Sequence, residues 1–191
     1  MDKKLLNKIA LNFGLYMGLV SIIIAVILYV AGIYDLSGQG STQWISMVVG
    51  LIVTIAFVVT AVRKYKNEGD GYLNFGEGFR LSFTSIFVSI LVSIVWLALY
   101  MFVLEPDYQD AIMEATYERF ESQGIDPDSP QAEMGIEWTG KMTSPVFMLG
   151  LTIVNGSIYG AILSLIFAAF MKNARPEFMA ANEETLDNDL K

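Results

Sequence analysis

Four stretches of the chain carry no charged residue, at positions 13–33, 44–62, 81–104 and 146–171. A hydrocarbon core needs about 17–25 apolar residues to be crossed by a helix, and each stretch is that long. Backbone in lipid must satisfy its own hydrogen bonds, so these runs predict helices. A barrel would show alternating segments of about ten residues, and the chain has none. Between the first two runs, 34–43 is a short polar turn rich in Gly and Ser. The first run is too long for a signal h-region and ends Ile33-Tyr34-Asp35 without an A-x-A site, so it is expected to be retained.

The long polar segment 105–145 predicts two short amphipathic helices. Pro106 and Asp107 open the first, Tyr108, Ile112, Ala115 and Phe120 give it an apolar face, and Gly124 closes it. Asp126-Pro127-Asp128-Ser129-Pro130 reads as a turn, with Asp128 and Gln131 as the capping box of the second helix. Met134, Trp138 and Met142 follow at spacing four, and Pro145 opens the fourth span. Trp138 and Met142 so near a span suggest interfacial seating. In the segment 63–80, Gly69, Asp70 and Gly71 form a turn, and Asn74 with Glu77 forms a capping box. Phe75, Phe79 and Phe83 would lay an aromatic face on the membrane while Arg80 reaches lipid headgroups. The glycines there are not a phosphate loop, since no Gly-Lys-Ser/Thr follows.

Lipid tails offer helices no hydrophobic drive to associate, so small and polar residues mark their contacts. Each span carries such a stripe: Gly14 and Gly18; Ser46, Gly50 and Thr54; Ser85, Ser89 and Ser93; Gly156, Gly160 and Ser164. Residues four apart share a helix face. The simplest assembly is a compact four-helix bundle, although the same stripes would serve a homo-oligomer. Asn155 is the one amide within the runs, and an interhelical hydrogen bond is its expected role.

Composition narrows the class further. Hydrophobic residues make up 54% of the 191 positions and charged ones 17%, against about 25% charged in soluble domains. The chain has no Cys and no His, which excludes thiol and imidazole chemistry and metal sites built on them. A net charge of -8 opposes nucleic-acid binding. No cofactor is expected. The Asp126/Asp128 pair lacks the rest of an EF-hand loop.

The basic residues divide unevenly. Lys3, Lys4, Lys8, Arg63, Lys64, Lys66, Arg80, Lys172, Arg175 and Lys191 flank one side of the spans, and only Arg119 and Lys141 the other. Positive flanks stay cytoplasmic, so both termini are expected inside and 105–145 outside. The expected fold is an all-α membrane protein: a four-helix transmembrane bundle in residues 1–175, with a two-helix extracytoplasmic hairpin between spans three and four. An acidic tail, 176–191, follows.

Together these features resemble an uncharacterised family of bacterial inner-membrane proteins, domain of unknown function 4199, of the Bacteroidetes type. The resemblance rests on the four-span layout, the motif Tyr72-x-x-Phe75-Gly-Glu-Gly-Phe79-Arg80 and the insertion at 106–145, and it covers residues 8–175. The family motif usually has Ala where this chain has Gly78, which weakens the helix there by about 1 kcal/mol. The resemblance implies an architecture and an inner-membrane location, and no activity.

Three functions compete. The first is a non-enzymatic accessory or scaffold subunit acting through protein contacts, with the bilayer, a membrane-protein partner or a second copy as its partners. The second is a small transporter or channel for an uncharged or apolar solute, working alone or as an oligomer; the absence of ionisable residues in the spans opposes ion coupling. The third is an interfacial enzyme using Glu77, Glu105 or Glu137, none of which a motif pairs with another.

Overall fold

The structure, a computed structural model, describes residues 3–32 and 43–173. Most of the turn at 34–43 and all of the tail at 176–191 lie outside the described residues. Among the described residues six α-helices follow one another: α1 (Lys3–Val30), α2 (Gln43–Glu68), α3 (Phe75–Leu99), α4 (Tyr108–Ser122), α5 (Pro130–Met142) and α6 (Pro145–Met171). One π-helical turn, Tyr100–Leu104, prolongs α3. Four of these helices, α1, α2, α3 with its π turn, and α6, are long and apolar enough to cross a membrane.

The helices outrun the charge-free runs. α1 starts at Lys3, α2 continues through Arg63, Lys64 and Lys66, and α3 begins at Phe75. Absence of charge locates only the segment that suits hydrocarbon. Helical hydrogen bonding continues beyond it, where long basic side chains reach back to water.

Side-chain placement is inverted relative to a soluble protein. Ser82, Ser85, Ser89 and Ser164 are buried, while Leu15, Leu19, Ile23, Ile158, Ile162 and Phe170 are exposed. Apolar faces of this extent belong in lipid.

Helix directions follow from close contacts. A Cβ on Gly14 would lie 2.7 Å from the Ser85 carbonyl oxygen and 2.7 Å from Val88 Cβ, and one on Gly18 2.6 Å from Val92 Cβ. The two helices therefore run parallel and almost touch backbone to backbone. On α6, a Cβ on Gly156 would meet Ile90 Cδ1 at 2.9 Å and one on Gly160 would meet Ile86 Cγ2 at 2.9 Å, so α6 runs antiparallel to α3. α3 is thus the central element. α2 runs antiparallel to α1, with Phe13 edge-on to Phe57 at 6.5 Å and Lys64 Nζ 5.9 Å from the Phe13 ring centre.

The core falls into two clusters. One, at the end carrying the basic residues, joins Leu6, Ile9, Met17, Val58, Val62, Tyr65, Leu73 and Leu81. The other, at the α4–α5 end, joins Trp96, Leu97, Tyr100, Met101 and Tyr108, with Tyr29 and Ile112 against it. No α2 residue belongs to the second cluster. α2 therefore joins the core through Val53, Phe57, Val58, Val62 and Tyr65 of the first cluster, and Gly50 of its stripe meets no neighbouring helix. Nothing lies within 4 Å of a Cβ on Gly50, and Thr54 spends its hydroxyl on the Gly50 carbonyl. Of the four spans, α1, α3 and α6 form a tight layer, and α2 is clasped against it at the end carrying the basic residues.

α4 and α5 lie antiparallel. Gln109 Nε2 donates to the Gly140 carbonyl at 3.0 Å, and the Tyr108 hydroxyl donates to the Thr143 carbonyl. α4 ends in a Schellman motif: Ile125 N–H donates to the Phe120 carbonyl and Gly124 N–H to that of Glu121. Gly124 has φ +71°, which an L side chain disfavours. Gly124→Ala is expected to cost about 1–2 kcal/mol. Hydrogen exchange at the Gly124 and Ile125 amides should accelerate by roughly an order of magnitude.

The α5 cap corrects the sequence reading. Ser129, not Asp128, is the N-cap, its side chain accepting the Ala132 N–H at 3.4 Å. Proline suits the first helical position, where its missing N–H has no partner to lose. With Pro130 there, the cap falls on Ser129. Asp128 instead donates its N–H to the Asp126 carboxylate at 3.0 Å.

Candidate functional site

Because α2 leaves the bundle, a cavity of about 350 Å³ opens between α1, α2, α3 and α6. Its lining is mostly apolar: Ile22, Ile24, Ala25 and Leu28 of α1, Val49 and Val53 of α2, and Trp96 and Leu97 of α3. Four hydroxyl-bearing residues line it, Ser21, Ser46, Ser93 and Thr152. Thr152 is bonded to the Met148 carbonyl at 2.8 Å. The hydroxyls of Ser21, Ser46 and Ser93 make no hydrogen bond among the described residues. Few polar groups on an apolar wall, in a volume of about 300–1,000 Å³, are the ordinary features of a small-molecule site.

An aromatic group built on the lining residue Trp96 lies toward the α4–α5 end. Tyr29 meets Tyr100 edge-on at 5.6 Å and Trp96 at 6.4 Å. The Tyr29 hydroxyl donates to Glu105 Oε1 at 2.9 Å, tying the end of α1 to the π turn. That turn is closed by the Glu105 N–H donating to the Tyr100 carbonyl.

The α4–α5 pair forms a second feature. Ala132 and Ile136 are buried, and Gly135 sits under Phe120, a Cβ there coming 3.0 Å from the ring. Met134 (59% exposed), Trp138 (58%) and Met142 (47%) leave α5 on another face. α5 thus has two apolar faces and uses one of them. Burial raises the Tyr108 hydroxyl pKa. The Lys141 ammonium, 2.6 Å from Glu137, holds that carboxyl below its ordinary range.

A third feature is a clasp at the basic end. Glu77, 5% exposed, accepts the Asn74 N–H at 2.9 Å and the Tyr65 hydroxyl at 3.4 Å. Leu73 and Asn173 exchange backbone hydrogen bonds of 2.8 Å each way, and Lys66 Nζ donates to the Met171 carbonyl at 2.8 Å. The cation thereby satisfies a carbonyl at the C-terminus of α6. Gly78 has a packing reason, since a Cβ there would sit 3.3 Å from Ala168 Cα.

The sequence-derived candidates divide accordingly. Gly14, Gly18, Ser85, Ser89, Gly156, Gly160 and Ser164 lie in the α1–α3–α6 layer; Ser46, Gly50 and Ser93 line the cavity. Asn155 is exposed and makes no side-chain hydrogen bond among the described residues, so the interhelical bond expected of it is not formed among them. It lies one residue before Gly156 on α6, and the face that meets α3 belongs to Gly156. Phe79, Phe83 and Phe87 form a continuous stack with centroids 5.7 and 6.0 Å apart, while Phe75 and Arg80 are exposed. Glu77, Glu105 and Glu137 are not assembled into one site: Glu77 lies in the clasp, and Glu105 and Glu137 have separate partners, Tyr29 and Lys141. Among the described residues no three Asp or Glu side chains converge on a metal position.

Sequence reasoning missed the clasp partners Tyr65, Lys66 and Asn173, whose contacts join distant parts of the chain. It also missed Ser21 and Ala25, although they continue the α1 line of small residues beyond Gly18.

Comparison with curated proteins and with solved structures gave no match. Residues 12–173 match the family described as "Protein of unknown function (DUF4199)". That match covers most of the chain and spans α1 to the Leu73–Asn173 bridge, so the protein belongs to the DUF4199 family.

Proposed function

We propose that the protein is a multi-pass bacterial inner-membrane protein that acts, without catalysis, as an accessory or scaffold subunit, its α4–α5 pair docking a membrane-protein partner on the outer side. The basic end and both termini are then cytoplasmic, in keeping with the ten-to-two division of basic residues. The observation that carries this reading is the exposed row Met134, Trp138 and Met142 on a helix already anchored through Ala132 and Ile136. Large exposed Trp and Met side chains on an ordered scaffold are typical anchors of protein interfaces. The acids of the pair, among them Glu114, Glu118, Glu121, Glu133 and Glu137, disfavour seating on an anionic membrane surface.

The test is a mild-detergent pull-down from native membranes. Wild type is compared with a Met134→Ser/Trp138→Ser chain and with one whose residues 107–142 are replaced by a Gly/Ser linker. A stoichiometric partner should come with wild type and be depleted at least tenfold in both variants. A homo-oligomer alone in all three would contradict the reading. One observation, the cavity, favours the second reading of a small carrier for an uncharged or apolar solute.

A further inference from the structure

We propose that the cavity between α1, α2, α3 and α6 is a binding site for one acyl chain of a glycerolipid from the leaflet at the α4–α5 end. The inference stands apart from any partner on α4–α5. Size decides first. A helix 10–12 Å across rising 1.5 Å per residue takes about 120–170 Å³ per residue, so the cavity would hold two or three residues of one. Another transmembrane helix is excluded as its filling. A dry cavity of about 150 Å³ accommodates benzene, and this one, at about 350 Å³, is more than twice as large. A narrow hydrocarbon chain fits that volume.

Position decides next. The lining residues run from Ser46 to Val53 on α2 and from Ser21 to Leu28 on α1, about 10 Å of depth on each helix. Both segments lie within the apolar runs, where water is scarce and acyl chains abound. Polarity sets the direction of entry. Ser46 lies in the first turns of α2, nearest the α4–α5 end, with its hydroxyl unbonded among the described residues. It is placed to donate to an ester oxygen at the hydrocarbon boundary. Ser21 and Ser93 lie deeper and can turn onto the carbonyls four residues back, as Thr152 does. A chain in this place would cover Val49 and Val53 on the half of α2 that packs against no second cluster.

Gly50→Leu tests the site from within. Nothing lies within 4 Å of a Cβ at Gly50, so the variant should fold and fill the space. Wild type washed in mild detergent should retain one glycerolipid per chain by native mass spectrometry, and Gly50→Leu at least tenfold less. A second measurement uses wild type alone, reconstituted with phosphatidylglycerol bearing a terminal diazirine on one acyl chain. Its adducts should concentrate on residues 21–28 and 93–97. Equal retention by the two chains, or adducts confined to the outer faces of α1 and α6, would overturn the assignment. So would no retained lipid.

Discussion

Gly14→Leu is expected to destroy the packed layer, while the same change at Gly50 leaves stability almost untouched. At Gly14 the first added atom already lies 2.7 Å from the Ser85 carbonyl oxygen and 2.7 Å from Val88 Cβ. Neither obstacle is the end of a flexible side chain. α3 must move away from α1 as a whole, and α6 rests on the other side of α3 through Gly156 and Gly160. Overpacking costs typically about 1–3 kcal/mol and more when backbone has to shift, so about 3 kcal/mol or more is expected. For a chain of this size that lowers the detergent-solubilised melting midpoint by about 10 °C. Gly50→Leu should shift it by less than about 2 °C. A large loss at both positions would mean that α2 packs along its whole length.

Glu77→Ala should give the second large effect, at the opposite structural level. The carboxylate is buried and holds two donors, the Asn74 N–H and the Tyr65 hydroxyl. Hydrogen bonds to charged groups contribute about 1.5–3 kcal/mol, and removal also strands the donors. The loss should appear as a lower melting midpoint and as faster hydrogen exchange in residues 73–78. Tyr65→Phe, which gives up only the 3.4 Å contact, should cost less than about 1 kcal/mol. Equal effects from the two variants would place the carboxylate's worth in its contact with α2 rather than in the cap.

The four spans were legible because absence of charge over about 20 residues has one physical meaning. The Gly124 terminus and the Asn74–Glu77 cap were legible because both are set within a few residues. The α5 cap was displaced by one position because Pro130 outweighed the spacing of Asp128 and Gln131. Gly14–Gly18 and Ser46–Gly50 look alike in sequence, yet one makes a contact and the other lines a cavity. A small-residue stripe states what a helix face permits, and only the placement of α3 decides whether a neighbour takes it up. The clasp was illegible for the same reason. Lys66 reaches Met171, and Leu73 pairs with Asn173, across about a hundred residues that no local pattern connects.

The central claim is that the chain crosses the membrane four times, with the basic end and the α4–α5 pair on opposite sides. The absence of cysteine makes the test clean. Gln123→Cys, at the exposed end of α4, and Asn67→Cys, at the exposed end of α2, are treated separately in intact spheroplasts with a membrane-impermeant maleimide. The account predicts labelling of Gln123→Cys at once and of Asn67→Cys only after the membrane is opened. Labelling of both from the same side, or the reverse order, would contradict it.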